Sequence, residues 1–407
     1  MNLTGLGLSA FKGAGHHLVW RHLATARVIP GHPSQVAPIR LTLQGPRMDL
    51  HRRDIVKSAL AFAAAAQGAG AWAQSPAPVT TIRLGVAQPA IGNPPGFYGS
   101  SISIAHAKGW IEQEFSRDNV KIEWFFFKGA GPAVNEALAN KQLDFAFQGD
   151  LPAIVAKAAG LKTRLILATG IRSNIYLAVP PDSPIQSVKD LRGKRVAIFK
   201  GTNAQLPINR LLEANGLTEK DLRALNLDTA AGKAALASKD IDALFGGLDL
   251  ISLRLNGTAR IVYSSKGDSP IFTRQGHLLV TDEFATAQPA LTQRLVKAVV
   301  QTARWASDDL NRDEVFRIWA RTGFPYEVWK EDYDGEPLRV RFNPQFDPFL
   351  VARYKDAVEQ AYKFKLTRAK FNVDGWIDTR FLQAALTELK LENYWPVYQA
   401  NGKISGV

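Results

Sequence analysis

From residue 81 the chain alternates short apolar, β-branched runs with helix-length segments, and the alternation restarts near residue 188. This pattern restricts the fold most, because strands separated by helices pair mostly in parallel and build a doubly wound α/β sheet. The first stretch reads as strands over 81–87, 120–127, 144–148, 165–169 and 175–179. Between them lie a Gly/Pro-rich loop over 88–99, a helix over 100–108 closed by Gly109, and a helix over 133–140. Pro132 stands at a first helical position, where its missing N–H is harmless. Asp150-Leu-Pro152 opens another helix. The second stretch reads as a helical turn over 188–191, strands over 195–199, 224–227 and 241–245, and helices over 204–215, 218–222, 229–238 and 249–256, with Gly216 as a C-cap. A strand over 276–281 and a long amphipathic helix over 289–308 follow. The remainder, 311–398, is helix-rich, with a proline- and aromatic-rich stretch at 324–349.

Composition removes several kinds of chemistry. The 407 residues suffice for two ordinary domains. The net charge is +13, yet residues 1–74 hold eight Lys/Arg against two Asp/Glu, and the other 333 hold 42 against 35 in a mixed pattern. No basic block with interleaved aromatics appears, so nucleic acid is not an expected partner. The chain has no cysteine, which excludes disulfides, thiolate metal sites and a Cys nucleophile. Five of its seven histidines (His16, His17, His22, His32, His51) precede residue 52, leaving His106 and His277 in the body. Zinc sites and Ser-His-Asp chemistry are hard to build from two histidines, and neither metal nor cofactor is expected.

Residues 48–73 read as a signal peptide. Arg52, Arg53 and Lys57 form a positive n-region, a weakly apolar alanine-rich run follows, and Ala71-Trp72-Ala73 has the small-x-small form of a cleavage site. The Arg52-Arg53 pair resembles a twin-arginine signal. The bland alternative is an alanine-rich helix opening a cytosolic domain. The apolar run over 59–66 is far short of the roughly 20 residues needed to span a bilayer. Residues 1–47, with four prolines and no sustained periodicity, read as a non-native or disordered extension ahead of a true start at Met48.

In an open α/β sheet, ligands bind beyond the carboxyl ends of the strands, where loops lead into helix N-termini that favour anions. Four loops are of that type: 88–93, Gln148-Gly149-Asp150, Gly201-Thr202-Asn203 and Gly246-Gly247-Leu248-Asp249. Arg172 and His277, close to strand ends, could pair a carboxylate or sulfonate, and Phe97 and Tyr98 could wall a pocket. Each has a plainer reading. Gly201-Thr202-Asn203 fits a simple turn, Asp150 and Asp249 fit N-caps, Arg172 fits a solvated charge, and His106 fits a structural helix residue. Gly129-Ala-Gly131 lacks the third glycine of a dinucleotide fingerprint. The carboxylates over 327–336 read as a solvated loop rather than a glycosidase pair.

Several runs resemble the aliphatic-sulfonate, taurine and nitrate type of periplasmic binding protein. They are Gly131-Pro132 with Gln142-Leu-Asp144-Phe-Ala-Phe-Gln-Gly149-Asp150; Asp182-Ser183-Pro through Asp190-Leu-Arg-Gly193-Lys194 to Lys200-Gly201-Thr202; Asp240-Ile-Asp242-Ala243; and Val373-Asp-Gly-Trp-Ile-Asp378. The resemblance covers roughly 80–395. It implies a type II two-lobed fold with a ligand cleft, lobe one formed by 80–182 plus 272–407, lobe two by 183–271, and crossings near 179–184 and 269–276. It also implies that Gln88, Gly149, Asp150, Thr202 and Asn203 face the cleft, joined from the loop chemistry by Gln148 and Asp249. One departure stands out: sulfonate binders tend to have an aromatic-Asp-Pro run where this chain has Gly247-Leu248-Asp249. The implied function is the periplasmic solute-binding component of an ABC importer, exported with cleavage near Ala73. Its partners would be a small anionic or polar solute and an inner-membrane permease, with the protein itself monomeric. The competing reading is an enzyme on the same fold, either desulfinase-like, which needs the Cys nucleophile this chain lacks, or of the pyrimidine-precursor type.

Overall fold

A computed structural model describes residues 79–404. The segments 1–47 and 48–73, expected to be an extension and a signal peptide, lie outside the described residues. The strands are β1 (Thr81–Val86), β2 (Lys121–Phe126), β3 (Phe145–Gly149), β4 (Thr163–Ala168), β5 (Tyr176–Val179), β6 (Arg195–Ile198), β7 (Arg223–Asn226), β8 (Ala243–Gly246), β9 (Arg260–Ser264) and β10 (Gly276–Thr281). They form two five-stranded sheets of order β2-β1-β3-β10-β4 and β7-β6-β8-β5-β9. Each is mostly parallel with one reversed strand: β10 runs against β3 and β4, and β5 runs against β8 and β9.

Both faces of each sheet are covered by helices, so the central strands read as continuous apolar runs rather than alternating ones. The period of two survives in the packing. Phe145 and Phe147 of β3 join Ile82, Leu84 and Val86 on one face, while Ala146 joins Val134 and Leu138 on the other. In the second sheet Tyr176 and Ala178 share a cluster with Ala197 and Leu244, and Leu177 and Val179 share another with Val196 and Ile198. The helix Pro289–Ala306 buries Leu295, Val296, Val299 and Ala303 at helical spacing against the first sheet. No helix among the described residues is long and apolar enough to cross a membrane.

The chain passes from the first sheet to the second between β4 and β5, and returns between β9 and β10. The two crossing segments bond to each other, Ser173 N–H to Arg274 O at 3.1 Å and Arg274 N–H to Ser173 O at 2.8 Å, making a short two-stranded hinge. The return runs between the end of β9 at Ser264 and the start of β10 at Gly276. The outward crossing does not lie at 179–184: Tyr176–Val179 pairs with β8 and β9, so the chain has already changed lobes before Tyr176. Residues 312–342 pack against elements of both sheets. Trp319, Trp329, Tyr333 and Phe342 share one buried cluster with Tyr176 and Leu244 of the second sheet and with Ile104 of the helix Ser101–Lys108. The chain's later helices return to the first sheet through Leu350, Tyr354, Leu382 and Leu386.

Candidate functional site

Between the sheets, where their loops meet, lies a cavity of about 460 Å³. The loops reach it for the expected reason: β1, β3, β6 and β8 end there, and short helices begin there. The lobes touch across it. A Cβ on Gly149 would lie 2.2 Å from Asn203 Cβ, and one on Gly201 would lie 3.2 Å from Pro132 Cγ. Ion pairs bridge the same two bodies, Arg210 to Asp356 at 2.8 Å and Lys363 to Glu213 at 2.6 Å. These pairs join the helix Gln205–Ala214 of the second lobe to Pro348–Lys363 of the first.

Six of the seven residues singled out from sequence line this cavity: Gln88, Gln148, Gly149, Thr202, Asn203 and Asp249. Gln88 holds the loop after β1 closed, its Nε2 donating to Tyr98 O at 3.2 Å. Thr202 Oγ1 donates to Phe199 O at 2.8 Å, the turn bond expected of its plainer reading. Asn203 Nδ2 reaches Gln275 O in the returning crossing at 3.4 Å. Asp249 Oδ1 accepts the Gly247 N–H at 3.0 Å.

The seventh, Asp150, stands behind the cavity wall. Its Oδ1 accepts the Leu151 N–H of its own helix at 2.8 Å. Burial pushes its carboxyl up to about 6, against the opposing pull of Arg210. The N-caps also sit one residue earlier than expected, at Gly149 and Leu248.

Three other expectations are corrected. Arg172 does not face the cavity: its guanidinium stacks 3.8 Å from the Tyr398 ring centroid and 4.5 Å from that of Phe349. His277 is fully buried, with Nδ1 2.5 Å from Tyr354 Oη, and burial pushes its pKa down to about 3. A ring that is neutral at pH 7 and sealed in the core cannot pair an incoming anion. Of the two aromatics, Phe97 packs into a nest of His106, Trp124 and Phe126. Only Tyr98 lines the cavity, set edge-on to Phe324 and Trp329 at 5.1 and 5.3 Å.

The residue missed from sequence is Arg274. It lies in the returning crossing, and its guanidinium lines the cavity so closely against Gly247 that a Cβ there would meet Nη2 at 2.5 Å. No carboxylate among the described residues lies within ion-pair distance, and its Nε is buried without a hydrogen-bond partner. Lys128 and Lys233 add positive charge to the lining. The arrangement is a partly apolar cleft, closed over by two lobes, with one planar cation left free to receive an anion.

The fold has counterparts among known proteins. SsuA of Methylobacillus flagellatus KT, a periplasmic sulfonate-binding protein, is 31% identical with a TM-score of 0.70; the match covers 79% of this chain and 98% of that one. A protein of Bacillus subtilis (strain 168) named for aliphatic sulfonate binding is 27% identical over 339 residues, 82% of this chain and 96% of its own length. The desulfurization enzyme DSZB, at 19% identity and a TM-score of 0.58 over 76% of this chain and 99% of that one, shares the fold alone. The fold is that of the type II periplasmic binding proteins. The family model described as NMT1/THI5 like matches residues 99–309, and the chain belongs to that family.

Proposed function

We propose that this chain is the exported, periplasmic solute-binding component of an ABC importer, and that it holds a small organic anion, sulfonate-like, against Arg274. The carrying observation is the unpaired guanidinium in the inter-lobe cavity. A half-buried cation without a partner is costly, and a bound anion making charge-assisted bonds removes that cost. The Gln88, Gln148, Thr202, Asn203 and Asp249 loops, together with Gly149, complete the binding wall in this reading. The sulfonate-binding relatives support the solute class, and an inner-membrane permease is the implied partner of a monomeric receptor. Binding without turnover is favoured over catalysis because the chain contains no cysteine and neither body histidine lines the cavity.

A thermal-shift screen against alkane- and arenesulfonates, nitrate and carboxylates tests this. A ligand at a hundred times its Kd adds about 2.7 kcal/mol, a shift of several degrees. A flat response to every sulfonate would sink the reading, and sulfite release on incubation with a sulfinate would favour the enzyme instead.

Closure gives a second expected result. Gly149 has φ −82° and ψ 170°, extended backbone that any residue adopts. Gly149→Val therefore fits an open protein but collides with Asn203 on closing. Calorimetry should show binding of the best anion weakened by about tenfold to a hundredfold, with the ligand-free thermal midpoint little changed. An unchanged Kd would show that closure contributes nothing to binding.

A further inference from the structure

We infer that the solute carries an N–H or O–H hydrogen-bond donor beside its anionic group, and that Gln148 and Asp249 receive it. The inference rests on the anion reading above. The orientation of Gln148 is dictated by a chain of bonds. Pro152 O can only accept, so Asn135 turns its Nδ2 toward it, at 2.8 Å. That leaves Asn135 Oδ1 facing Gln148, which must present Nε2, at 3.2 Å. Gln148 Oε1 is the atom left over, and it is buried without a partner. Asp249 is in the same condition: Oδ1 accepts the Gly247 N–H, and Oδ2 is buried with no donor. These residues are 1% and 7% exposed, line the same cavity, and come from opposite lobes.

Buried acceptors without donors are destabilising, and a site built this way discriminates against a ligand that cannot supply the missing bonds. Arg274 asks for an acceptor, whereas Gln148 and Asp249 ask for donors. A plain alkanesulfonate has acceptors only. A sulfonate that also bears an ammonium or hydroxyl group satisfies both demands. The Asp249 carboxylate, lacking an ion-pair partner among the described residues, is the natural receiver of an ammonium.

The test is calorimetry on the purified protein with propane-1-sulfonate and benzenesulfonate, each unsubstituted, aminomethyl-substituted and hydroxymethyl-substituted. The donor-bearing compounds should bind about tenfold or more tighter than their parents. A gain for the ammonium alone assigns the donor to the Asp249 carboxylate; an equal gain for the hydroxyl assigns it to the neutral Gln148 oxygen. Asp249→Asn, which keeps an oxygen for Gly247, and Gln148→Met, which keeps the shape without the acceptor, should bring the substituted-to-parent ratio toward one. Parents that bind as tightly as the substituted compounds in the unaltered protein overturn the inference and leave the anion reading standing. A ratio that survives in both variants overturns the assignment to these two residues. No binding by any of the sulfonates overturns the anion reading, and this inference with it.

Discussion

Arg274→Leu is expected to weaken binding of the preferred anion by roughly a hundredfold or more, equivalent to about 3 kcal/mol. The effect is large because the guanidinium is the cavity's one planar cation free of an internal carboxylate partner among the described residues that line it; Arg341, the other arginine there, is held by Asp332 and Glu336. Removing a charge-assisted bond from a half-desolvated site also leaves the ligand's own charge uncompensated. The protein itself should fold as before. Among the described residues Arg274 makes no side-chain ion pair, and its loss orphans no buried group there. The ligand-free midpoint should therefore hold or rise slightly. Arg274→Lys separates charge from shape: it keeps the charge but loses the fork, so it should recover only part of the affinity. Anion binding that survives Arg274→Leu unchanged would remove the foundation of the proposed site.

Arg274 also shows what the sequence could convey and what it could not. The run Phe272-Thr-Arg-Gln-Gly276 looks like any polar approach to a strand. Its importance comes from the backbone pairing of Ser173 with Arg274, a contact 101 positions apart that places the guanidinium opposite Gly247. Local periodicity found the strand at Tyr176–Val179 but could not say which sheet it joins. That is settled by long-range partners, Ala178 beside Leu244 and Leu177 beside Tyr263. The strand β9 (Arg260–Ser264) has no clear signature in the sequence because it is only half-buried throughout, even though Asn256-Gly257 marks the turn that precedes it. His277 misled for the opposite reason. Five of the six residues of β10 are buried, so no alternation reveals which face a side chain takes. Three of the four cleft loops are legible because they depend on local rules, a strand end, a glycine and a helix start close behind, whereas the loop after Val86 runs on to the helix at Ser101.

The largest stability effect is expected at Asp332, where Asp332→Ala should lower the thermal midpoint by several degrees, reflecting about 3–5 kcal/mol. Its Oδ1 accepts from Tyr176 Oη at 2.6 Å and from Asn174 Nδ2 at 3.0 Å, and its Oδ2 accepts from Arg341 Nη2 at 3.0 Å. Both charged side chains are buried, 2% and 3% exposed. Burial by itself would raise the carboxyl's pKa, but Arg341, Tyr176 and Asn174 together hold it below its usual value. The sign follows: this contribution is present above the carboxyl's unfolded pKa and is lost as pH falls through the lower folded value. Asp332→Asn, which cannot ionise, should flatten that share of the acid-side loss in a pH series of melts. Truncation leaves Tyr176, Asn174 and Arg341 short of an acceptor at once, and that orphaning, more than the lost attraction, sets the cost. The double change Asp332→Leu with Arg341→Met removes both charges and should recover much of the stability lost by Asp332→Ala. Asn174 and Tyr176 begin the second lobe, and Asp332 closes the helix Tyr326–Asp332, so the network ties the hinge to the helices that floor the cavity. Asp332→Ala should consequently loosen anion binding as well as the fold. A variant that melts early but binds at full strength would confine the network's role to the core.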